Sequence, residues 1–403
     1  MKSFSMVKGI VPIILLLAAL LLAGCAAPDG QSTPGTSIFN GENLAGAAGG
    51  QETLVAEELG TLPASEQPAT ALPPEGSTAT PPPAPVPTQD SSAALPGGSI
   101  AGIFQQGGTS EVALLEAANG STSTLTSDGM EKNNPVWSAD GGRIAFAANL
   151  NGDWDVYVVN ADGSNLLRLS DSPSKDWWPS WSPDGQWITF ESFRDGNFEI
   201  YRVPSAGGEL VRLTENSAGD THPVWSPDGS RVAFVSNRDG SSDIYLMDAN
   251  GGSVQRLTDS PAPDASPSWS HDGQWLAFTS WRDGNAEIYR MRADGSEQTR
   301  LTVSGAKEDY PLWSPDDSRL VFLSGEGGQE DVVLMDSAGG EPRNLTNSPG
   351  YDGAPSWSPD GQFLAFQTNR EGMDQIYVMN LDGEIVLVLT PDGQAAVEPV
   401  WRP

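Results

Sequence analysis

Short apolar runs recur along this chain at a fixed interval, and a tryptophan marks each recurrence. The interval is 44 residues without an insertion, and the copies are Trp137, Trp181, Trp225, Trp269, Trp313, Trp357 and Trp401. A period of this length indicates a repeat architecture, in which each copy is one supersecondary unit that stacks on its neighbours.

The unit around Trp225 predicts four short strands. Its apolar segments at 223–226, 231–236, 244–247 and 254–258 are separated by the turn sequences P-D-G, R-D-G and G-G. Proline, aspartate and glycine favour tight turns, so consecutive strands should pair antiparallel as a meander. A sheet of this size cannot enclose a core alone, and a closed ring of such sheets leaves few exposed strand edges. The repeat therefore predicts an all-β propeller with four-stranded antiparallel blades.

The second strand of each unit is apolar on both faces. One face carries large residues such as Ile144 and Phe146, and the other carries small residues such as Ala145. This pattern predicts a strand covered on both faces, with the large side chains of one blade packed against the small side chains of the next. We assign the recurring tryptophan to the same core between blades.

The two ends of the repeat region predict the number of blades. Residues 99–126 keep the register of the unit but lack a first strand, whereas residues 398–401 supply a first strand with nothing after it. Together they would complete one blade, which closes the ring and gives a seven-bladed propeller. The alternative is a ring of six blades with an irregular N-terminal segment.

The first 24 residues have the layout of a secretory signal peptide. Lys2 and Lys8 precede an apolar run at 10–23, which is too short for a transmembrane helix. The run ends in L-A-G-C and resembles the lipobox of bacterial lipoproteins, which implies cleavage before Cys25 and lipidation of its sulfur. Because two or more acyl chains anchor a protein stably, we expect a lipid-anchored, extracytoplasmic protein of the bacterial cell envelope.

The next segment, residues 25–98, predicts a disordered tether. It is rich in Pro, Ala, Gly, Ser and Thr and contains no Lys or Arg. Such a composition buries too little apolar surface to offset the entropy of ordering, and its prolines favour an extended chain. The predicted organisation is therefore a signal peptide at 1–24, a tether at 25–98 and a propeller at 99–403.

Acidic residues dominate the charge of the chain. It contains 21 Lys and Arg against 53 Asp and Glu, a formal net charge of −32. Nucleic acids and anionic lipid surfaces require a basic face. Neither is therefore an expected partner, and membrane contact is expected through the lipid anchor only. We expect the chain to be a monomer.

Few residues of the chain could supply a thiolate or imidazole ligand to a metal ion. Cys25 is the single cysteine, and His222 and His271 are the two histidines. The chain therefore has no spacing typical of a zinc site and no disulfide of its own. No metal or cofactor is expected, except that the acidic segment 149–155 could hold Ca²⁺.

Strand direction assigns the turns to two faces of the propeller. The P-D-G turns and the glycine turns share one face, called here the turn face. The hairpins between second and third strands share the other with the segments that lead into each tryptophan. We call this second face the variable face, because its residues differ from unit to unit. Scaffold is expected on the turn face and recognition on the variable face.

Two sets of candidate residues lie on the variable face. An aspartate five residues before the tryptophan occurs only in units that also have an arginine at the end of the second strand. This predicts structural ion pairs across the hairpin, worth about 0–1 kcal/mol each if exposed: Asp176 with Arg194, Asp220 with Arg238, Asp264 with Arg282, and Asp352 with Arg370. The candidate binding residues lie outside the core register: Trp177, Trp178, Phe193, His222, Trp281, Asp309 and Tyr310.

The innermost strand is expected to begin three residues before each tryptophan. The side chains at this position should therefore surround the mouth of the central channel. They are Asn134, Trp178, His222, Ser266, Tyr310, Ala354 and Glu398.

The repeated phrases W-S-P-D-G, I-A-F, R-D-G, I-Y and L-T resemble the WD40-like (PD40) repeat of the TolB family over residues 99–403. The resemblance implies a propeller that binds an envelope or secreted protein. Members of that family carry a small α/β domain before the propeller, whereas this chain has a lipobox and a tether there. Similar repeats occur in the propellers of prolyl-oligopeptidase-type enzymes and of oligogalacturonate lyases.

The residues argue against catalysis. The chain has no G-x-S-x-G nucleophile motif and no hydrolase domain after the propeller, and two histidines cannot form the metal site of the lyases. We therefore predict a non-catalytic binding protein. One alternative is a carbohydrate- or cell-wall-binding module, because rim aromatics can stack on sugars. A further alternative is a polysaccharide hydrolase or lyase that uses paired carboxylates.

Overall fold

The computed structural model describes residues 96–106, 108–150, 152–390 and 393–403. The predicted signal peptide, Cys25 and nearly all of the predicted tether lie outside these residues. The described ranges contain 28 strands in seven four-stranded sheets. They contain no helix that is long and apolar enough to cross a membrane.

Each sheet is one blade, and we number the blades I to VII in chain order. Neighbouring strands within every blade are antiparallel, and the first strands of most neighbouring blades contact one another, so these strands surround the central channel. The strands are, in blade I, β1 (Ser99–Gln106), β2 (Thr109–Glu116) and β3 (Thr122–Thr124); in blade II, β4 (Glu131–Trp137), β5 (Arg143–Leu150), β6 (Asp153–Asn160) and β7 (Leu167–Arg168); in blade III, β8 (Asp176–Trp181), β9 (Trp187–Ser192), β10 (Glu199–Pro204) and β11 (Val211–Arg212); in blade IV, β12 (Asp220–Trp225), β13 (Arg231–Ser236), β14 (Asp243–Asp248) and β15 (Gln255–Arg256); in blade V, β16 (Asp264–Trp269), β17 (Trp275–Ser280), β18 (Glu287–Arg292) and β19 (Thr299–Arg300); in blade VI, β20 (Glu308–Trp313), β21 (Arg319–Ser324), β22 (Asp331–Asp336) and β23 (Arg343–Asn344); in blade VII, β24 (Asp352–Trp357), β25 (Phe363–Thr368), β26 (Gln375–Asn380) and β27 (Ile385–Val388); and β28 (Ala395–Trp401), which returns to blade I.

Blade I is built from both ends of the repeat region. Its strand order is β28-β1-β2-β3, and the antiparallel register places Trp401 opposite Ile100 and Ala396 opposite Phe104. The last strand thus supplies the innermost position of the first blade. This confirms the seven-bladed ring with a composite blade, and the six-bladed alternative is wrong.

The apolar cores of the described residues lie between blades. Seven clusters of buried side chains occur, one at each seam between neighbours. At the seam of blades II and III, Ala145 of one blade meets Trp181, Ile188 and Phe190 of the next. Large side chains therefore fill the space left by small ones, as the alternation along the second strand predicts.

Four of the seven recurring tryptophans also make a polar link between blades. The indole Nε1 of Trp181 donates to the carbonyl of Val136 at 3.1 Å, and that of Trp313 donates to Ser268 at 3.0 Å. Each acceptor belongs to the first strand of the preceding blade. Trp137 links blade II to blade I in the same way, since its Nε1 donates to the carbonyl of Val400 in β28 at 3.0 Å. The indole N–H groups of Trp225, Trp357 and Trp401 have no hydrogen-bond partner among the described residues.

On the turn face, the sequence S-P-D-G forms a compact turn. Ser226 Oγ donates to Asp228 Oδ1 at 2.6 Å, and the same carboxylate accepts the backbone N–H of Ser230 at 3.0 Å. These hydrogen bonds, that of Ser226 above all, hold the pKa of Asp228 below its ordinary value. The glycine that follows has a φ of 69°, a conformation that residues with a Cβ rarely adopt.

Two exceptions to this turn compensate for each other across one seam. Asp317 takes the place of the glycine in blade VI, and His271 takes the place of the proline in blade V. Because His271 has the N–H that proline lacks, its backbone donates to Asp317 at 2.7 Å, and that of Asp272 donates at 2.9 Å. The carboxylate therefore joins two neighbouring turns.

Deletion of residues 398–403 should destabilise the ring strongly. The deletion removes most of β28, including Trp401, and exposes β1 and the part of the core around Ile100. We expect the melting temperature to fall by well over 10 °C, since lost burial amounts to several kcal/mol. Differential scanning calorimetry of the full chain and the deletion measures this. An unchanged melting temperature would contradict the composite blade.

Candidate binding site at the channel mouth

Seven residues around the channel share a left-handed backbone conformation. Each lies three positions before a recurring tryptophan, and their φ values run from 46° to 55°: Asn134, Trp178, His222, Ser266, Tyr310, Ala354 and Glu398. At each of them a β-bulge shifts the register between the first and second strands, as between Thr221 and Val224 in blade IV. One backbone geometry thus displays seven different side chains near the channel mouth.

The first strands begin two residues earlier than the sequence pattern suggests. In blade IV, Asp220 and Thr221 already pair with Ser236 and Val235, on the far side of the bulge from Trp225. The bulge position is therefore inside the strand and does not begin it. The expectation that the innermost strand starts at His222 and its equivalents was wrong, because pairing resumes beyond the bulge.

Proline accounts for the position of the bulge. The residue after each left-handed position is proline in all seven blades, from Pro135 to Pro399. Because proline has no N–H to donate, it cannot continue a regular ladder and is found at bulges. A left-handed residue with a Cβ costs about 1–2 kcal/mol, so the rest of the blade must hold this conformation in place.

Side chains of the channel accept the N–H groups of four of these residues. Two of the acceptors are glutamates, one is an aspartate and one is a glutamine. His222 donates to Glu191 Oε2 at 3.1 Å, Tyr310 to Asp309 Oδ1 at 2.8 Å, Asn134 to Glu398 Oε2 at 2.6 Å, and Glu398 to Gln367 Oε1 at 3.3 Å.

Two of these acceptors are buried carboxyl groups without a cationic partner in the described part of the chain. Glu191 is 3% exposed and Glu398 is 9% exposed. Burial raises the pKa of Glu191 to about 8 and that of Glu398 to about 7. Burial also lowers the pKa of His222 to about 4, against the opposing effect of Asp309. At neutral pH the mouth therefore holds a neutral imidazole, a Glu191 carboxyl group that largely keeps its proton, and a Glu398 carboxyl group close to half protonation.

The predicted aromatic residues form a cluster on blade III. The ring of Trp177 meets the edge of Trp154 at a centroid distance of 5.6 Å, and the Lys175 ammonium lies 4.7 Å from its centroid. Trp178 packs on His222 with ring centroids 4.7 Å apart. Both tryptophans are half-buried, and each already has a partner on its ring.

The remaining predicted binding residues are dispersed around the face. Phe193 is 41% exposed and packs against Phe198, with ring centroids 5.0 Å apart. Trp281 is half-buried at the equivalent hairpin of blade V. Asp309 is buried, and its carboxylate pairs with Lys307 at 3.0 Å. The structure therefore places Trp178 beside His222 and Asp309 beside Tyr310, whereas Phe193 and Trp281 occupy separate hairpins.

The four predicted ion pairs are present, but their acids are not exposed. Arginine Nη2 lies 2.8–3.0 Å from the carboxylate in the pairs Asp176–Arg194, Asp220–Arg238, Asp264–Arg282 and Asp352–Arg370. Each aspartate side chain is 0% exposed, and each arginine is 20–22% exposed. Burial raises the pKa of Asp220 despite the pairing. The value for an exposed pair therefore does not apply, because each aspartate lies beneath its hairpin, and the arginine also covers an aromatic ring such as Tyr245.

Blades without the aspartate use different contacts at the same place. Lys132 takes that position in blade II and is 4% exposed. Its ammonium group lies 3.0 Å from the carboxylate of Glu111, in blade I, and 2.5 Å from that of Asp128, between blades I and II. In blade VI, Glu308 accepts hydrogen bonds from Ser304 at 2.6 Å and Ser324 at 3.1 Å, and burial raises its pKa to about 6.

Sequence reasoning did not identify Glu191, Lys175 and Tyr351 as part of this surface. Glu191 is a charged residue near the end of a buried strand, where other blades carry residues such as Val235. This contrast was an available signal. Tyr351 folds over Gly353, where no space for a Cβ remains, and its buried hydroxyl has no partner among the described residues. Only the folded chain shows that contact.

The described residues contain no group of three or more His, Cys, Asp or Glu side chains placed to hold a metal ion. Asp155, at the end of the segment considered for Ca²⁺, pairs with Arg168 at 2.5 Å. Residue 151 of that segment is outside the described residues.

Comparison with known proteins identifies relatives of this fold. The family described as the TolB beta propeller domain (PD40) matches residues 96–223, 215–322 and 307–403. No curated protein matches the chain in sequence. Among solved structures, TolB from Acinetobacter baumannii is similar at 22% identity and a TM-score of 0.53, over 75% of this chain and 82% of that one.

Two further structures show the same likeness. A putative TolB from Agrobacterium tumefaciens has 27% identity and a TM-score of 0.51, over 72% of this chain and 99% of that one. An oligogalacturonate lyase from Vibrio parahaemolyticus has 16% identity and a TM-score of 0.54, over 68% of this chain and 83% of that one. The likenesses at 22% and 16% identity concern the fold alone.

Replacement of Arg238 by methionine should destabilise the protein by about 2–3 kcal/mol, because the change leaves the buried carboxylate of Asp220 without its cation. The double variant Arg238→Met/Asp220→Asn should recover part of this loss. Urea unfolding of the wild type, both single variants and the double variant measures the coupling energy. A coupling near zero would show that the pair does not stabilise the hairpin.

The variant Glu191→Gln should become more stable than the wild type as the pH rises. The pKa of Glu191 is raised from 4.5 to about 8 in the folded protein. The stability contributed by its proton is therefore complete below pH 4.5 and is lost as the pH rises to about 8. Glutamine keeps the acceptor for His222 without ionising. The stability difference should grow by up to about 1.4 kcal/mol per pH unit in this window.

Urea unfolding between pH 6.5 and 8.5 tests this, because the pKa of His222, lowered from 6.5 to about 4, affects stability at lower pH. The exposed residue Glu215 supplies the matched control Glu215→Gln, which should show no such trend. Parallel pH profiles for the wild type and Glu191→Gln would contradict the assignment of Glu191.

Proposed function

This chain belongs to the family of TolB beta-propeller domains, and from that premise we propose that it is a non-catalytic propeller of the bacterial envelope that binds a protein partner. The binding surface is the variable face around the channel mouth. Lipidation of Cys25 anchors the protein outside the cytoplasm, and residues 25–98 act as its tether.

The display of different side chains from one repeated backbone geometry carries this proposal. The seven left-handed positions are equivalent in conformation, yet they bear Asn134, Trp178, His222, Ser266, Tyr310, Ala354 and Glu398. On the turn face, by contrast, the same serine and aspartate hydrogen bonds recur from blade to blade. A constant scaffold with a varied rim is typical of a recognition surface.

The chemistry of the rim favours a protein over a polysaccharide. Aromatic rings that stack on sugars need an open face, but the Trp177 ring already has Lys175 over one face and Trp154 against it. Trp178 packs on His222. Half-buried aromatic residues beside buried polar groups are instead typical of the centre of protein interfaces.

The buried carboxyl groups do not suggest a glycosidase pair. The pKa values of Glu191 and Glu398 are both raised, and burial is the main cause for each. A retaining or inverting glycosidase needs one carboxyl group that keeps its proton and a second that is ionised beside it. We therefore assign no catalytic residue.

A pull-down from native envelope extract with the full chain tests the proposal. The variant Trp178→Asn/Tyr310→Asn removes two rim side chains but keeps the backbone, because Asn134 already occupies an equivalent left-handed position. The matched control is Gln274→Ala/Gln362→Ala, at two exposed residues of the turn face. We expect a specific protein to bind the wild type and the control at least tenfold better than the rim variant.

A partner retained equally by all three forms would contradict a binding surface at the channel mouth. Retention of polysaccharide without protein would favour the carbohydrate-binding alternative. Turnover of such a polysaccharide by the purified chain, lost on replacement of a rim Asp or Glu, would establish the hydrolase or lyase alternative.

A further inference from the structure

A guanidinium group closes the turn-face side of four consecutive seams. Each of these arginines donates to the residue that lies 24 positions after the tryptophan of the next blade, so we call them the seam arginines. Arg143 donates to Ser205 Oγ at 3.0 Å, Arg202 to the Ala249 carbonyl at 2.6 Å, Arg231 to the Ala293 carbonyl at 3.3 Å, and Arg290 to the Ser337 carbonyl at 2.8 Å.

Every seam arginine also lies over a tryptophan ring. The distance from guanidinium carbon to ring centroid is 4.7 Å for Arg143 over Trp181, 4.4 Å for Arg202 over Trp187, 5.2 Å for Arg231 over Trp269 and 4.5 Å for Arg290 over Trp275. The group thus has both a hydrogen-bond acceptor and a π face. This is a complete environment for a partly buried guanidinium.

The seam between blades VI and VII departs from this pattern because two arginines face one acceptor. Leu381 is the residue equivalent to Ser205 and Ala293. Its carbonyl accepts a hydrogen bond from Arg343, which comes from the outermost strand of blade VI. Arg343 also pairs with Asp382 at 3.3 Å. The acceptor that a seam arginine would use here is therefore occupied.

Arg319 is left without a partner as a result. It occupies the position of Arg143 and Arg231 in blade VI, and its backbone pairs as theirs does. Its guanidinium has no hydrogen bond, ion pair or aromatic contact with any residue that the structure describes. The four seam arginines also pair with no acid, but each has an acceptor and a tryptophan ring, and Arg319 has neither among the described residues.

A cleft lies in front of this group. Its volume is about 330 Å³, and its lining includes Arg319, Arg343, Leu381, Asp336, Glu341 and Asp382. This volume is at the lower end of the range for small-molecule sites. Arg343 and Asp382 largely neutralise each other, whereas Asp336 and Glu341 are exposed at the rim. The cleft therefore has at its wall a guanidinium without a hydrogen bond or ion pair to the described residues, and at its edge two carboxylates without one, of which Asp336 lies opposite Arg319 in the strand register.

We propose that this cleft binds a small zwitterion through its carboxylate. The fork of N–H groups on Arg319 can hold a carboxylate with two parallel hydrogen bonds. The carboxylates of Asp336 and Glu341 attract the ammonium group of the same ligand, which disfavours ligands that carry negative charge alone. The site is on the turn face and does not depend on the proposed protein-binding surface.

Isothermal titration of the full chain with alanyl-alanine tests the site. This dipeptide carries one carboxylate and one ammonium group. Its C-terminal amide should bind at least tenfold more weakly, because the amide cannot accept the two charge-assisted hydrogen bonds of Arg319. Its N-acetyl form should lose a smaller factor, because the rim acids are exposed to solvent. Inorganic phosphate should not displace the dipeptide. If phosphate bound the cleft as tightly as the dipeptide does, the zwitterion assignment would be overturned.

The variant Arg319→Gln should abolish binding of the dipeptide without lowering the melting temperature, because its guanidinium holds nothing in the fold. Arg231→Gln is the matched control. It should lower the melting temperature by several degrees, since Arg231 donates to the Ala293 carbonyl and lies over the Trp269 ring. It should leave dipeptide binding intact. A melting temperature lowered equally by both variants, or dipeptide binding that survives Arg319→Gln, would overturn the proposal.

Chemical labelling provides a second readout that does not depend on affinity. Phenylglyoxal should modify Arg319 at least tenfold faster than Arg231, because the Arg319 guanidinium has no partner. Saturating alanyl-alanine should slow that reaction, as followed by mass spectrometry of the labelled peptide. Equal labelling of the two residues, or labelling of Arg319 that the dipeptide does not slow, would contradict a ligand site at Arg319.

Discussion

The whole molecule depends on apolar packing between neighbouring sheets. A blade of four short strands has two apolar faces and no core of its own, and it can bury each face only against another blade. At every seam a row of large side chains, such as Ile188 and Phe190, meets small residues such as Ala145. Because every blade needs two neighbours, the row of sheets is stable only as a closed ring, and composite blade I completes that ring.

The repeats of this protein distinguish contacts that build the scaffold from contacts that are particular to one blade. Interactions that recur around the ring belong to the scaffold, such as the tryptophan in the core and, in blades II to VII, the serine–aspartate turn. Positions where the repeat breaks carry the other contacts. Lys132 replaces an acid at the first seam of the chain, and Arg319 has lost the acceptor that Arg143 and Arg231 keep. Each unit therefore serves as an internal reference for the others, which an ordinary domain does not provide.

The sequence determined the fold to a large extent because each repeat reports the same local pattern. The second strand of blade IV, 231–236, was predicted with the bounds that the structure shows. The bulge was not predicted, although a proline two residues before every tryptophan was a visible reason for it. The burial of Asp220 could not be read from the chain, since the residues that cover it come from other segments. The pattern of charged residues predicts which side chains form ion pairs, but only the packing of the folded chain determines how exposed each pair is to solvent.

Closure of the ring by β28 and β1 has a kinetic consequence. These two strands pair across almost the full length of the repeat region, so their meeting carries the largest loop-closure entropy of any contact in the fold. Local hairpins can form as soon as each unit is synthesised, but the final seam must wait for the last strand in chain order. Until then both terminal blades expose an apolar face to the surroundings. Such an open ring is prone to aggregation, and the assembly of this protein depends on how quickly its two ends find each other.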